Sequence, residues 1–87
     1  MSLRVRFLTS TEDPQEQARI TENVRKIEHV EQVFQEFADS GDLMLKRVFN
    51  AVLKQGLTPH EGVDKAGEIG SIEGVTHSYL IGAKYLL

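Results

Sequence analysis

VEQVFQEFADSGDLMLKRVFNAVL, Val30 to Leu53, folds in one of two ways, and the architecture of the chain turns on which. Val30, Val33, Phe34 and Phe37 fall at i, i+3, i+4 and i+7, the stripe of an amphipathic helix. Leu45, Val48, Phe49, Val52 and Leu53 repeat the pattern, with Gly56 placed as a C-terminal cap. Period alone therefore reads both segments as helix. The other reading pairs Val30–Phe37 with Asp42–Val48 as a hairpin across Ala38–Gly41, with a strand over Leu43–Val48 and a short helix over Asn50–Gln55.

The flanks repeat one another, and that repetition requires the hairpin, in conflict with the period. Upstream, LRVRFLT (residues 3–9) alternates, with Val5 and Phe7 on one side and Arg4 and Arg6 on the other, as in a half-buried strand. Asp13, Pro14 and Glu16 then supply an N-cap, an N1 proline and a capping-box acid, and Ile20, Val24 and Ile27 follow at helical spacing. This predicts a helix from Pro14 to Lys26. Downstream, Thr58, Pro59 and Glu61 repeat the same start, and Val63, Ala66 and Ile69 carry a second helix to about Gly70. Its interior glycines, Gly62 and Gly67, disfavour helix by roughly 1 kcal/mol each unless a neighbour packs closely there.

The two halves superimpose at a constant offset. Pro14 aligns with Pro59, Glu16 with Glu61, Val24 with Ile69, Glu28 with Glu73, Val30 with Val75, and Phe34 with Tyr79. GVTHSYLIGAKYLL, from Gly74, reads as a closing strand rich in β-branched and aromatic residues. Two strand–helix–strand units in series predict an α+β, ferredoxin-like β-α-β-β-α-β domain with an antiparallel sheet. The alternative is a mostly α chain: helices over 14–37, 42–55 and 58–70 with short terminal strands, serving as an interaction or structural protein.

IEHVEQVF, SGDLMLKRV and IGSIEGVTHSYLIGAKYL, in that order, resemble the effector-binding domain of the Lrp/AsnC family, also called the RAM domain. Ile69, Ile72, Gly74, Val75, Thr76 and His77 fit the family's closing phrase, and the resemblance spans roughly residues 3–86. Two departures stand out. Gly41 and Asp42 are adjacent where the family separates them by two residues, and FNAVLKQG reads as an insertion before the second helix. The resemblance implies a stand-alone effector domain without a helix-turn-helix. Such domains form dimers and larger rings, with amino acids or similar small molecules held between subunits. It implies ligand-binding residues at Gly41 and Asp42 in the hairpin and at Gly74, Thr76, His77 and Ser78 in the last strand.

Composition excludes several other classes. With 87 residues, a single domain over 1–87 with a modest core is expected. Oligomerisation is a fair expectation at this size. The chain has no cysteine, hence no disulfide, thiolate site or thiol nucleophile. The start, MSLRVRFLTS, has neither the apolar core nor the cleavage site of a signal peptide, so a cytoplasmic location is expected. No apolar run is long enough to span a membrane. The net charge is −3, and no segment clusters the Lys and Arg that nucleic-acid binding needs. His29, His60 and His77 share no metal-ligand spacing. GEIGSIEG closes a helix rather than opening one on a phosphate. An enzyme on the same scaffold, such as a small dimeric α+β-barrel oxygenase, would need a base or metal cluster that no spacing here supplies. The reading is thus a non-enzymatic, cofactor-free, homo-oligomeric ligand-binding module with a regulatory role.

Overall fold

The computed structural model describes residues 3–81. The elements run β1 (Arg4–Thr9), α1 (Pro14–Arg25), β2 (Val30–Gln35), a 3-10 turn (Leu45–Arg47), β3 (Val48–Leu53), α2 (Pro59–Gly70) and β4 (Val75–Ile81). The four strands form one antiparallel sheet in the order β2-β3-β1-β4. This β-α-β-β-α-β order and sheet define a ferredoxin-like α+β fold.

β1 alternates as its sequence demands: Val5 and Phe7 are fully buried, and Arg4 is exposed. Directly opposed residues share a face. Phe7 lies opposite Phe49 and Val5 opposite Ala51, so the inner face of the central pair is fixed by apolar partners. The Phe7 and Phe49 rings stack with centroids 5.6 Å apart. Val24 of α1 and Ala66 and Ile69 of α2 pack onto this face in one continuous core.

Both helices start as the capping grammar dictates. The Asp13 side chain accepts from the Gln15 N–H, and Pro14 opens α1. At α2 the capping box closes: Glu61 N–H donates to Thr58 Oγ1 at 3.1 Å, and Thr58 N–H donates to the Glu61 carboxylate at 2.8 Å. The box expected at α1 does not form, because Glu16 turns to Arg19 instead, at 2.8 Å. Gly62 has the close neighbour its position suggested. A Cβ there would meet Leu3 and Leu80 side chains at 2.9 Å, whereas Gly67 faces open space.

The hairpin across the middle of the chain forms, but with a different second strand. β2 pairs with Val48–Leu53, not with Leu43–Val48. The expected short helix over Asn50–Gln55 is the body of β3, and the apparent insertion FNAVLKQG is that strand and the turn after it. The three-helix alternative fails for the same reason. β3 is an interior strand whose core-facing residues lie under the helices and whose outward Val48 and Asn50 are also little exposed, so its apolar residues run almost continuously and imitate a helical stripe. Val48, Phe49 and Val52 favour extended backbone once a sheet partner lies on each side. The closing strand is described to Ile81; its expected continuation over 82–87 lies outside the described residues.

The duplication is visible in the backbone. Each helix has twelve residues. Each is followed by a short turn that passes through the left-handed region at equivalent positions: His29, φ 76°, and Gly74, φ 97°. At Gly74 a side chain is excluded twice over, since its Cβ would lie 2.5 Å from Ile20 Cδ1. Gly74→Ala should therefore destabilise the fold by roughly 2–4 kcal/mol in urea titration, from backbone strain plus overpacking. His29→Gly, which installs at the first connection the residue of the second, should stay within about 1 kcal/mol of the parent.

Candidate functional site

Both helices lie on one side of the sheet, and among the described residues nothing covers the other. The register places Arg6, Asn50 and Phe34 in one row across this open face, with Tyr79 beyond Arg6 on β4. The row is a hydrogen-bonded network. Arg6 donates twice to Glu36, Nε to Oε1 and Nη2 to Oε2, both at 3.0 Å. This is the two-pronged geometry of a strong guanidinium–carboxylate pair. Asn50 Nδ2 donates to the same Glu36 Oε1. Arg6 Nη1 donates to the Tyr79 hydroxyl at 3.4 Å, and the guanidinium carbon lies 5.9 Å from the Tyr79 ring centre.

Asn50 is wholly buried (0 % exposed), and its Oδ1 has no partner. Desolvation pushes the Glu36 carboxyl up, but the hydrogen bonds from Asn50 and Arg6, with the charges of Arg6 and Arg4, outweigh it and hold the group below the usual carboxylate range. Around the network lie Leu8, Phe34, Val48 and Val52, so the face is apolar with a neutralised polar centre.

The residues expected to bind ligand all lie at one end of the sheet, the end where β1 and β2 finish and β3 and β4 begin. They do not form one hydrogen-bonded cluster. Gly41 and Asp42 belong to the loop between β2 and β3. There Asp42 accepts from Met44 N–H at 2.9 Å, which is turn chemistry. The carbonyl of Gly74, just before β4, accepts from Ser10 N–H at 2.8 Å. The Ser78 hydroxyl donates to the Ala66 carbonyl of α2 at 2.7 Å and lies directly under Gly70, so it docks the helix. Thr76 and His77 are exposed and hydrogen-bonded to each other at 3.1 Å.

The loop itself is tied down. The Gln17 amide, buried in α1, donates to Thr9 Oγ1, to the Thr11 carbonyl and to the Lys46 carbonyl at 2.9–3.2 Å. Gln35 Nε2 donates to the same Lys46 carbonyl, and Arg47 pairs with Glu12. The three histidines are where the sequence placed them, at a helix–strand connection, a first helical turn and the last strand. Among the described residues no three His, Cys, Asp or Glu side chains are placed to hold a metal ion. None of the described helices is long and apolar enough to cross a membrane.

Sequence reasoning identified Arg6 only as an outward strand residue and missed Glu36 and Asn50 altogether. Glu36 lies thirty positions from Arg6 and fourteen from Asn50, so no local pattern links them. Only the strand register does. Comparison of the chain with protein-family models, curated proteins and solved structures finds no match.

A carboxylate held low in the folded state stabilises above its unfolded pKa and loses that contribution as pH falls through the folded value. Glu36→Gln should cost about 1–2 kcal/mol at pH 7, allowing for partial solvent screening. The difference from the parent should shrink as pH falls below the range in which a free glutamate carboxylate titrates, as followed by urea denaturation at each pH.

Proposed function

We propose that the chain is a non-enzymatic module that self-associates and binds a small amino-acid-like molecule in a regulatory role, in the manner of the effector domains it resembles. The observation that carries this reading is the uncovered sheet face. Leu8, Phe34, Val48 and Val52 surround a guanidinium that already has its counter-charge, so burying the middle of the face leaves that ion paired, with the exposed Arg4 at the edge of the patch. A copy of the same face is a suitable cover, and a domain of this size gains a larger core by it. In this reading the ligand lies near the sheet end that carries Gly41, Asp42, Gly74, Thr76, His77 and Ser78. Of these side chains, Asp42, Thr76 and His77 offer exposed polar groups, and Ser78 and Gly74 support the strand behind them. The assembly would need no cofactor, nucleic acid or membrane, and we place it in the cytoplasm.

One observation favours a second reading, that of a protein-interaction module. Leu43 and Met44, in the β2–β3 loop, are 55 % and 57 % exposed, and Phe37 and Leu45 lie beside them.

Sedimentation equilibrium should give a mass of at least two chains of 9.8 kDa. Val52→Glu, on the open face, should return the protein to a monomer without unfolding it. Amino acids screened by thermal shift should raise the melting temperature of the parent and lose that effect with His77→Ala. A monomer whose stability no amino acid raises would overturn the proposal. A monomer that Leu43→Ser or Met44→Ser makes more soluble would instead favour the interaction reading.

A further inference from the structure

The sheet has two outer strands, β2 and β4, and they are equivalent members of the repeat. Their edges differ. β2 has the exposed Glu31 within it and a register shift beside it, between Val30 and Gln32. A charge and a bulge are two means by which an edge strand avoids pairing with another chain. At the offset that aligns Pro14 with Pro59, Glu31 aligns with Thr76. β4, VTHSYLI, has no Lys, Arg, Asp, Glu, Pro or Gly, and Val75, Thr76, Tyr79 and Ile81 favour extended backbone. Its irregularity lies at its start, and from His77 to Ile81 it pairs one to one with β1. Among the described residues no strand lies against its other edge. We propose that this edge pairs with the same edge of a second copy of the chain, antiparallel about a twofold axis at Tyr79.

A second observation, on α2, points to the same edge. α2 lies along β4: the Ser78 hydroxyl donates to the Ala66 carbonyl at 2.7 Å, and Gly62 leaves room for Leu80. Glu61, Asp64, Lys65 and Glu68 turn toward the α1–β2 connection, where they line a hollow with His29. By the helical period Val63 and Gly67 lie on the opposite flank, over the free edge of β4. Val63 reads from sequence as a core residue, yet it is 54 % exposed. A Cβ at Gly67 would meet nothing within 4 Å, so no packing among the described residues accounts for a glycine in mid-helix there. The aligned positions of α1 are Ala18 and Glu22, the second of them charged.

Both features fit a second copy. A strand that pairs antiparallel with itself makes an isologous contact, in which residue i meets j and j meets i. With the axis at Tyr79, His77 opposes Ile81 and Ser78 opposes Leu80, and directly opposed side chains share a face. The exposed Tyr79 meets its own copy, a cross-strand aromatic pair, and no like charges meet along the ladder. α2 crosses above Tyr79 between its contacts with Leu80, at Gly62, and with Ser78, at Ala66 and Gly70. Val63 and Gly67 therefore stand on either side of the axis, and the valine of each copy faces the glycine of the other. The pairing does not depend on the open face. The contact is short, below the area of a stable interface. Copies kept apart at that face by Val52→Glu thus pair along β4 only at millimolar concentration, whereas copies joined through it present two such edges and pair more tightly.

The chain has no cysteine, so a single introduced one reports contact between copies. Opposed Cα atoms of a ladder lie about 4.5–5.5 Å apart, within reach of a disulfide. Tyr79→Cys and, as the control on the other edge, Glu31→Cys are each combined with Val52→Glu and oxidised at the same millimolar concentration. Tyr79→Cys should give severalfold more disulfide-linked dimer than Glu31→Cys. Gly67→Gln, which the open space at Gly67 accommodates within one copy, should raise the melting temperature yet cut the dimer yield of Tyr79→Cys severalfold. Equal yields from the two cysteines, or a yield that Gly67→Gln leaves unchanged, would overturn the proposal in favour of a different extended segment on this edge. Should Val52→Glu fail to fold, the same variants of the parent decide the matter, because Gly67 is on the helix side of the sheet, away from the open face. A monomeric parent in which Tyr79→Cys still cross-links would remove the open-face reading and leave the edge pairing standing.

Discussion

The pairing of Phe7 with Phe49 is the contact from which the rest of the structure follows. Both side chains are buried, on adjacent central strands, and they stack directly across the β1–β3 ladder. Side chains alternate along a strand, so a slip of one residue would turn the whole inner face of β3 to solvent. With the register fixed, Asn50 must stand beside Arg6 on the outer face, and Phe34 must follow on β2. Glu36 then comes within reach of both. The polar network is thus a consequence of the aromatic pair beneath it.

The same register separates two chemically distinct regions. The middle of the open face is apolar around an ion pair that is complete in itself, with Arg4 at its edge. The free edge of β4 is the reverse: the strand has no Lys, Arg, Asp or Glu, and its outer N–H and C=O groups face no strand among the described residues. Both regions owe their position to the repeated strand–helix–strand unit. The two edges of the sheet differ because the repeat has diverged at a few side chains while its backbone has not. Glu22 and Glu31 charge one helix and its edge strand, and Gly67 and Thr76 take their places in the other.

Much of this was legible along the chain. The proline-led caps at Pro14 and Pro59 place both helix starts to the residue. The alternation of residues 3–9 marks β1, and the offset between the halves indicates the βαββαβ order before any contact is known. The site was less legible. Gly74 was singled out as a ligand residue, yet its demand is steric, set by Ile20 across the core. Ser78 was singled out for its hydroxyl, which is spent on α2. Glu36 and Asn50 carry no local signature, because nothing in their neighbourhoods announces a partner on another strand.

Local chemistry alone determined the caps, the helices and the first strand, since a proline, a capping side chain and a period of two or 3.6 act within a few residues. The identity of β3 was decided only by tertiary structure. VFNAVL satisfies a helical stripe as well as a strand, and no interaction within the segment tells them apart. What tells them apart is β1 on one side and β2 on the other. Two neighbouring ladders pair the backbone of an interior strand on both edges, and the residues that look like one helical face divide between the two faces of a sheet.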